Sequence, residues 1–190
     1  MLLSTYLIAP WFSVRSLGWG PPSAAIRAGT LDCFQDGDYL REEHVLSADF
    51  GFGCAGGNKS PHLAWSGAPA ATKSFAVTCY DPDAPTGSGF WHWLVVNIPP
   101  NVTELEIDAG NRNSPKLPSG ALQTRIDYGV PGYGGPCPPP GDHPHRYLFT
   151  VFAVGAERLE VAANTSVAVV GFHLNFNTLA KATLMGLYKR

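Results

Sequence analysis

Apolar residues occur along this chain in short runs that glycine, proline and aspartate interrupt. Residues 72–80, 93–98 and 146–154 are rich in valine, phenylalanine, tyrosine, threonine and tryptophan, and a proline or a glycine lies just beyond each run. β-branched and aromatic residues between such breaks favour strands over helices. We therefore predict three main strands, with shorter strands near residues 44–46 and 62–65.

A helical spacing of apolar residues occurs near the C-terminus. Over residues 167–176, valine, leucine and phenylalanine recur at roughly helical intervals, and Asn164 or Thr165 can cap a helix that begins there. We expect residues 179–188 to return as a final strand. The sequence shows no repeat, heptad pattern or linker, so these elements predict one mainly β domain with few helices near its C-terminus.

The composition fits a single globular domain and excludes some classes of protein. The chain has 190 residues, of which 45% are apolar and 15% are charged, as in ordinary globular folds. Its 21 glycines and 17 prolines indicate many tight turns. The formal net charge of −2 and the scattered arginines argue against a nucleic-acid partner.

The N-terminal residues differ from the rest of the chain. Residues 1–20 are apolar and aromatic, yet they lack the basic start of a secretory signal, and Pro10 interrupts them. The alternatives are a disordered arm, a weak targeting or docking segment, or a misassigned start, and we favour the first or the third. We predict that residues 1–29 form an extension outside the fold, that residues 30–190 form the domain, and that the protein is cytoplasmic.

The four cysteines show no metal-binding or redox spacing. Cys33, Cys54, Cys79 and Cys137 include no Cys-x-x-Cys pair, which argues against a zinc ribbon or a redox dithiol. A domain of this length does not need disulfides for stability, so we expect free thiols. For Cys137, a packing role is expected before a catalytic one.

Two stiff, proline-rich loops carry acids and imidazoles. The first loop, residues 81–85, reads Asp-Pro-Asp-Ala-Pro and is followed by Trp91-His92-Trp93; the second loop, residues 134–147, contains three further prolines in a row, an aspartate and two histidines. Aspartate and histidine are poor core residues, and repeated proline prevents ladder pairing. We therefore predict that the two loops converge on a small polar pocket.

The polar residues of these loops allow both structural and functional interpretations. Asp81 and Asp83 can cap backbone N–H groups of a proline-held turn, and we expect at least one of them to do so. His92 and His145 stand at predicted strand starts. Two imidazoles and an aspartate can hold a phosphate or a similar anion by donating N–H bonds, with the aspartate binding an amine or fixing a ring tautomer.

Zinc ligation and hydrolysis are the alternative interpretations. His143 and His145 form a His-x-His pair, but Pro144 separates them and no established zinc motif is present. Ser88 lies in Gly-Ser-Gly without the flanking pattern of a serine-hydrolase nucleophile. A metal-assisted hydrolase would use Asp81, His92, His143 and His145. Because no nucleophile is evident, we favour a binding protein and predict no catalytic residue, metal or cofactor.

Several collinear segments resemble one known family. They are residues 60–65, 78–89, 91–97 and 122–125 with Tyr128-Gly129, and Gly141 with residues 145–147. On these segments, which together span residues 30–190, the chain resembles the phosphatidylethanolamine-binding protein (PEBP) family, which includes the Raf kinase inhibitor proteins. It is most similar to the bacterial branch of that family.

The resemblance implies a mainly β fold and an anion pocket. The expected fold is a large central antiparallel sheet packed on a smaller sheet, with the pocket at one end of the large sheet. By the same resemblance, the ligand-binding residues would be Asp81, Asp83, His92, Pro138, Pro139, His145 and Tyr147. The chain after Phe176 is too short for the C-terminal helical segment that closes eukaryotic pockets, which implies a more open pocket.

These observations predict non-catalytic binding of a phosphate-bearing or other anionic group, such as phosphate or a phosphorylethanolamine-like phospholipid headgroup. The family resemblance adds a regulatory role, such as inhibition of a protein kinase or a protease, and a homodimer. The alternative functions are the metal-assisted hydrolase and a protein-interaction module with a vestigial pocket.

Overall fold

Two antiparallel sheets form the framework of the computed structural model, which describes residues 26–30 and 33–190. The smaller sheet has the order β1-β2-β5, with β1 at Arg27–Gly29, β2 at Leu63–Ser66 and β5 at Glu104–Leu105. The larger sheet has the order β6-β4-β3-β7-β8, with β3 at Ser74–Asp81, β4 at Phe90–Ile98, β6 at Leu122–Gln123, β7 at His145–Val154 and β8 at Thr178–Tyr188. Helix α1 covers Val167–Asn177. The predicted large sheet with a smaller companion sheet and few helices is confirmed.

The large sheet is buried on both faces. Alternate residues of β3 contribute to different clusters: Phe75, Val77 and Cys79 join the cluster that contains Trp65 of the small sheet, while Ala76 joins the cluster beneath α1. Side chains alternate across a strand, so one apolar run can supply both layers. Each large apolar side chain buried in this way contributes about 1.5–3 kcal/mol. This double burial explains why the central strands are almost continuously apolar.

The predicted strand near residues 44–46 is wrong. A 3-10 helix covers Glu42–His44, and the Val45 N–H donates to the Glu42 carbonyl. Val45 and Leu46 are buried beneath the second loop, where the Leu46 N–H donates to the Pro136 carbonyl. Their apolar character therefore reflects tertiary packing. The predicted strands at 72–80, 93–98, 146–154 and 62–65 are confirmed within a few residues.

The predicted C-terminal helix and strand are confirmed, with two corrections. The residue before the helix is Ser166. Val170 and Leu174 are buried against the sheet, whereas Phe176 is 70% exposed. The helix thus packs through a narrow stripe, and β8 then pairs along the whole of β7.

Four described residues that precede the predicted domain boundary at residue 30 contact the small sheet or the core. Arg27–Gly29 pairs with β2 in the small sheet, with Ala28 opposite Trp65, and Ile26 is buried in the core. Burial of Ile26 and the added ladder hydrogen bonds give these residues a place in the fold. The remaining predicted extension, residues 1–25, lies outside the described residues.

Candidate functional site

The two loops meet at one end of the central strands of the large sheet. Asp81 ends β3, while β4 begins at Phe90 and β7 at His145, and both of these strands run antiparallel to β3. The end of β3 and the starts of its two neighbours therefore lie side by side. A cavity of about 180 Å³ opens there. It is lined by Phe52, Asp81, Ala84, Pro85, Thr86, Phe90, His92, Tyr128, Cys137, Pro138, Pro139, His145 and Tyr147.

The Asp81 carboxylate is buried and makes three hydrogen bonds. Its Oδ1 accepts from the backbone N–H groups of Asp83 at 2.8 Å and Ala84 at 3.1 Å. Its Oδ2 lies 2.8 Å from Nδ1 of His145. Asp81 therefore holds the first loop in place and at the same time orients the imidazole of the second loop.

His145 is held between two carboxylates. Its ring is buried, with Nδ1 against Asp81 and Nε2 3.3 Å from Oδ2 of Asp142. Burial alone would lower the pKa of His145, but the hydrogen bonds and charges of Asp81 and Asp142 outweigh it and raise the pKa. Only a protonated ring can donate to both carboxylates.

His92 has the opposite environment. Its Nδ1 lies 2.7 Å from the Gly134 carbonyl, which can only accept, so Nδ1 carries the proton. Burial lowers the pKa of His92 and favours the neutral ring. Its Nε2 is then an acceptor, which differs from the donor role predicted for this histidine.

Tyr147 contributes a hydroxyl that makes no hydrogen bond of ordinary geometry with the described residues. The residue is buried and lines the cavity, and the Asp81 carboxylate lies near its Oη. Burial and the nearby Asp81 charge raise the pKa of the hydroxyl, which keeps it protonated. Buried hydroxyls usually have a partner, so this one is available to a ligand.

Asp83 does not line the cavity, although it was predicted to bind the ligand. Its carboxylate accepts from Arg146 Nε at 2.9 Å, from Nη2 at 2.7 Å and from the Arg146 backbone N–H at 2.9 Å. These hydrogen bonds to Arg146 lower the pKa of Asp83 to about 2. Asp83 thus joins the first loop to β7.

A disulfide supports part of the cavity wall. Cys137 is bonded to Cys54, so the expectation of four free thiols is wrong for this pair, while Cys33 and Cys79 are free and buried. The partners are 83 residues apart, and only the fold brings them together. Cys137 is followed by Pro138 and Pro139, which form part of the cavity wall. We refer to residues 134–140 as the proline segment.

The disulfide also bears on the cellular compartment. Disulfides persist in oxidising compartments and are rare in the cytosol. The cytoplasmic location remains a prediction, and the disulfide argues against it. In the part of the chain that the structure describes, no helix is long and apolar enough to cross a membrane.

The aromatic part of the cavity was not predicted. Phe52, Phe90 and Tyr128 come from three distant segments of the chain. The ring centroid of Tyr128 lies 5.2 Å from that of Phe52 and 4.8 Å from that of Phe90. Phe90 immediately precedes the Trp-His-Trp segment, and its place at a strand start was the one available signal. Phe52 carries no such signal, because tertiary contacts, among them the Cys54–Cys137 link, bring its segment to the site.

The four residues of the alternative hydrolase set do not form one metal-binding group, although Asp81, His92 and His145 line the same cavity. Among residues 26–30 and 33–190, the group that could share a metal ion comprises Asp142, His143 and His145. Asp81 and His92 are not in this group. Asp142 takes their place, and its contact with His145 was not predicted from the sequence.

Comparison with known proteins identifies the family. The family model described as phosphatidylethanolamine-binding protein matches residues 32–189. The chain belongs to this family. It is 50% identical over 189 residues to the UPF0098 protein YbcL of Escherichia coli strain K12, covering 100% of this chain and 97% of the relative. It is also 50% identical over 154 residues to YbhB of the same organism, covering 81% and 94%.

Solved structures of PEBP family relatives have the same fold. The crystal structure of E. coli YbcL, described as a new member of the mammalian PEBP family, superposes with a TM-score of 0.84 at 53% identity. The alignment covers 88% of this chain and 99% of the YbcL chain. The PEBP homologue CT736 of Chlamydia trachomatis has a TM-score of 0.72 at 27% identity, with the same coverage. Membership of the PEBP family supports a binding, non-catalytic role at the level of the family.

Proposed function

We propose that the cavity binds a small phosphate-bearing or otherwise anionic group, such as inorganic phosphate or a phosphorylethanolamine-like headgroup, without catalysing its reaction. The volume of about 180 Å³ suits such a group. It is well below the roughly 300–1,000 Å³ of sites that enclose drug-sized ligands. A whole phospholipid would have to leave its chains outside the cavity.

The observation that carries this proposal is the Tyr147 hydroxyl, which makes no hydrogen bond of ordinary geometry with the described residues and lines the same cavity as the two imidazoles. A phosphate oxygen can accept from Tyr147, and a P–OH group or an ethanolamine ammonium can donate to Nε2 of His92. Because these polar side chains are already held in place before a ligand arrives, little of the binding free energy is lost to ordering them.

The walls of the cavity hold its lining residues in place before a ligand binds. Pro85, Pro138 and Pro139 restrict the backbone on two sides, and Asp81 is fixed by its own loop. The aromatic rings exclude water on the remaining side, which strengthens hydrogen bonds to a charged ligand. A regulatory role through a bound protein kinase or protease, and a homodimer, rest on the family resemblance alone.

The experiment is a titration with phosphorylethanolamine and, separately, with inorganic phosphate, monitored by NMR of the histidine rings. We expect saturable shifts of both His92 and His145. Tyr147→Phe removes one hydroxyl from a buried ring, and we expect about 3- to 10-fold weaker binding, the equivalent of one hydrogen bond. His145→Ala should weaken binding further in a protein that remains folded.

Tyr39→Phe is the matched control, because Tyr39 is 51% exposed and lies outside the cavity. Ring signals that do not respond to either anion would reject the proposal. Equal affinities in folded Tyr147→Phe and Tyr39→Phe would reject the role of the hydroxyl.

A further inference from the structure

Three potential metal ligands converge at the start of β7. One donor atom each from Asp142, His143 and His145 lies within 4.8 Å of the other two. The Asp142 carboxylate is 2.8 Å from Nδ1 of His143 and 3.3 Å from Nε2 of His145. Zinc bonds of about 2.0–2.2 Å place neighbouring donors of a tetrahedral site about 3.3–3.6 Å apart. Small side-chain adjustments would therefore suffice to bind one ion.

The buried His145 ring is oriented as a metal-bound histidine would be. Its Nδ1 faces Asp81, whose other oxygen is fixed by two backbone N–H groups. In the neutral ring the proton is thus on Nδ1, and the Nε2 lone pair faces an oxygen of Asp142. A metal ion bound to Nε2 would take the place of the proton that the protonated ring directs at Asp142. A carboxylate that orients the far nitrogen of an imidazole is also the usual support of a metal-bound histidine.

We propose that Asp142, His143 and His145 bind a divalent first-row transition metal ion of the Zn²⁺ type, with Asp81 as the positioning residue. Two imidazoles and one carboxylate suit Zn²⁺ better than Mg²⁺ or Ca²⁺, which prefer oxygen ligands throughout. Three protein ligands leave one position of a tetrahedral site open. His145 also lines the cavity, so the ion lies at its rim.

The test is calorimetric titration of the full chain, stripped of metal with a chelator, with Zn²⁺ alone. We expect one saturable site per chain. His143→Ala removes a ligand whose side chain is 62% exposed, so the fold should be unaffected while affinity falls at least tenfold. Asp142→Ala should have a similar effect. Asp81→Asn should weaken binding by about 10- to 100-fold, the usual effect of losing a residue that orients a ligand.

His173→Ala is the matched control, because this histidine lies on α1, away from the cluster. Titration with Co²⁺ provides a second readout, since a tetrahedral site gives intense visible absorption that His143→Ala should abolish. Absence of saturable binding, or equal affinities in His143→Ala and His173→Ala, would overturn the proposal. Phosphate titration of the metal-free protein tests the proposed function separately, so either proposal can fail alone.

Discussion

The first loop and the proline segment enclose the same cavity but are held by different kinds of bond. Asp81 and Asp83 hold the first loop through carboxylates that accept from backbone N–H groups, His145 and Arg146. The proline segment is held by the Cys54–Cys137 disulfide, by backbone bonds and by the close packing of glycine. The stabilising bonds of the first loop should therefore depend on pH. Those of the proline segment should depend on reduction of the disulfide or on a larger side chain in place of a glycine.

The largest effect is expected from removing the disulfide. In Cys54→Ser/Cys137→Ser, the free energy of unfolding should fall by about 2–4 kcal/mol, because the unfolded chain regains the freedom that the crosslink removes. Denaturant unfolding measures the change. Reduction should destabilise the wild-type protein and leave the double variant unchanged. If both proteins respond equally to reduction, the proline segment is not held by this bond.

A methyl group at Gly135 should have the next largest effect. A Cβ there would lie 2.1 Å from the His44 carbonyl oxygen and 2.7 Å from the Leu46 nitrogen, so the backbone must move. We expect Gly135→Ala to lower the free energy of unfolding by about 1–3 kcal/mol. Gly171→Ala is the control, because no atom of the described residues beyond its own helix backbone lies within 4 Å of its Cβ position. Equal stabilities of the two variants would contradict the close packing.

Loss of the Asp83–Arg146 pair should have a smaller effect that depends on pH. The folded pKa of Asp83, about 2, lies below the ordinary value of 3.8, so the ionised group stabilises the fold above that value. This stabilisation is lost as the pH falls from about 4 to about 2. Because Arg146 is half exposed, the effect should be smaller than that of either variant of the proline segment.

Unfolding measured across this acid range should show a shallower pH dependence for Asp83→Asn than for the wild type. The Asp142 carboxylate, whose pKa is also lowered to about 2 by its hydrogen bonds with His143 and His145, is present in both proteins and cancels in the comparison. Parallel curves would show that the first loop is not held by the Asp83 charge.

The pKa values of the two histidine rings should differ. Titration of the rings should have a smaller effect on the free energy of unfolding than the changes above. We expect the pKa of His92 below 6.5, because the ring is buried, and that of His145 above 6.5, because two carboxylates flank it. Protonated His145 stabilises the fold below 6.5, and this contribution is lost as the pH rises through the folded pKa. NMR titration measures both values, and the reverse order would contradict the assigned environments.

Much of the fold could be predicted because it follows from local patterns. The strands at residues 72–80 and 146–154 have side chains that suit a sheet, and proline or glycine marks their ends. The error at residues 44–46 has the opposite cause, since Val45 and Leu46 are apolar because a distant loop covers them. A pattern of apolar residues indicates burial without stating which element provides it.

The sequence by itself determined which residues could form a polar pocket: two proline-stiffened loops with Asp81, His92 and His145, each next to a strand. Only the tertiary structure decided what each group does. It placed Asp83 on Arg146, made His92 an acceptor and His145 a bridge between carboxylates, and joined Cys54 to Cys137. The physical reason is that protonation and hydrogen-bond roles depend on partners within about 3 Å, and here these partners come from distant parts of the chain.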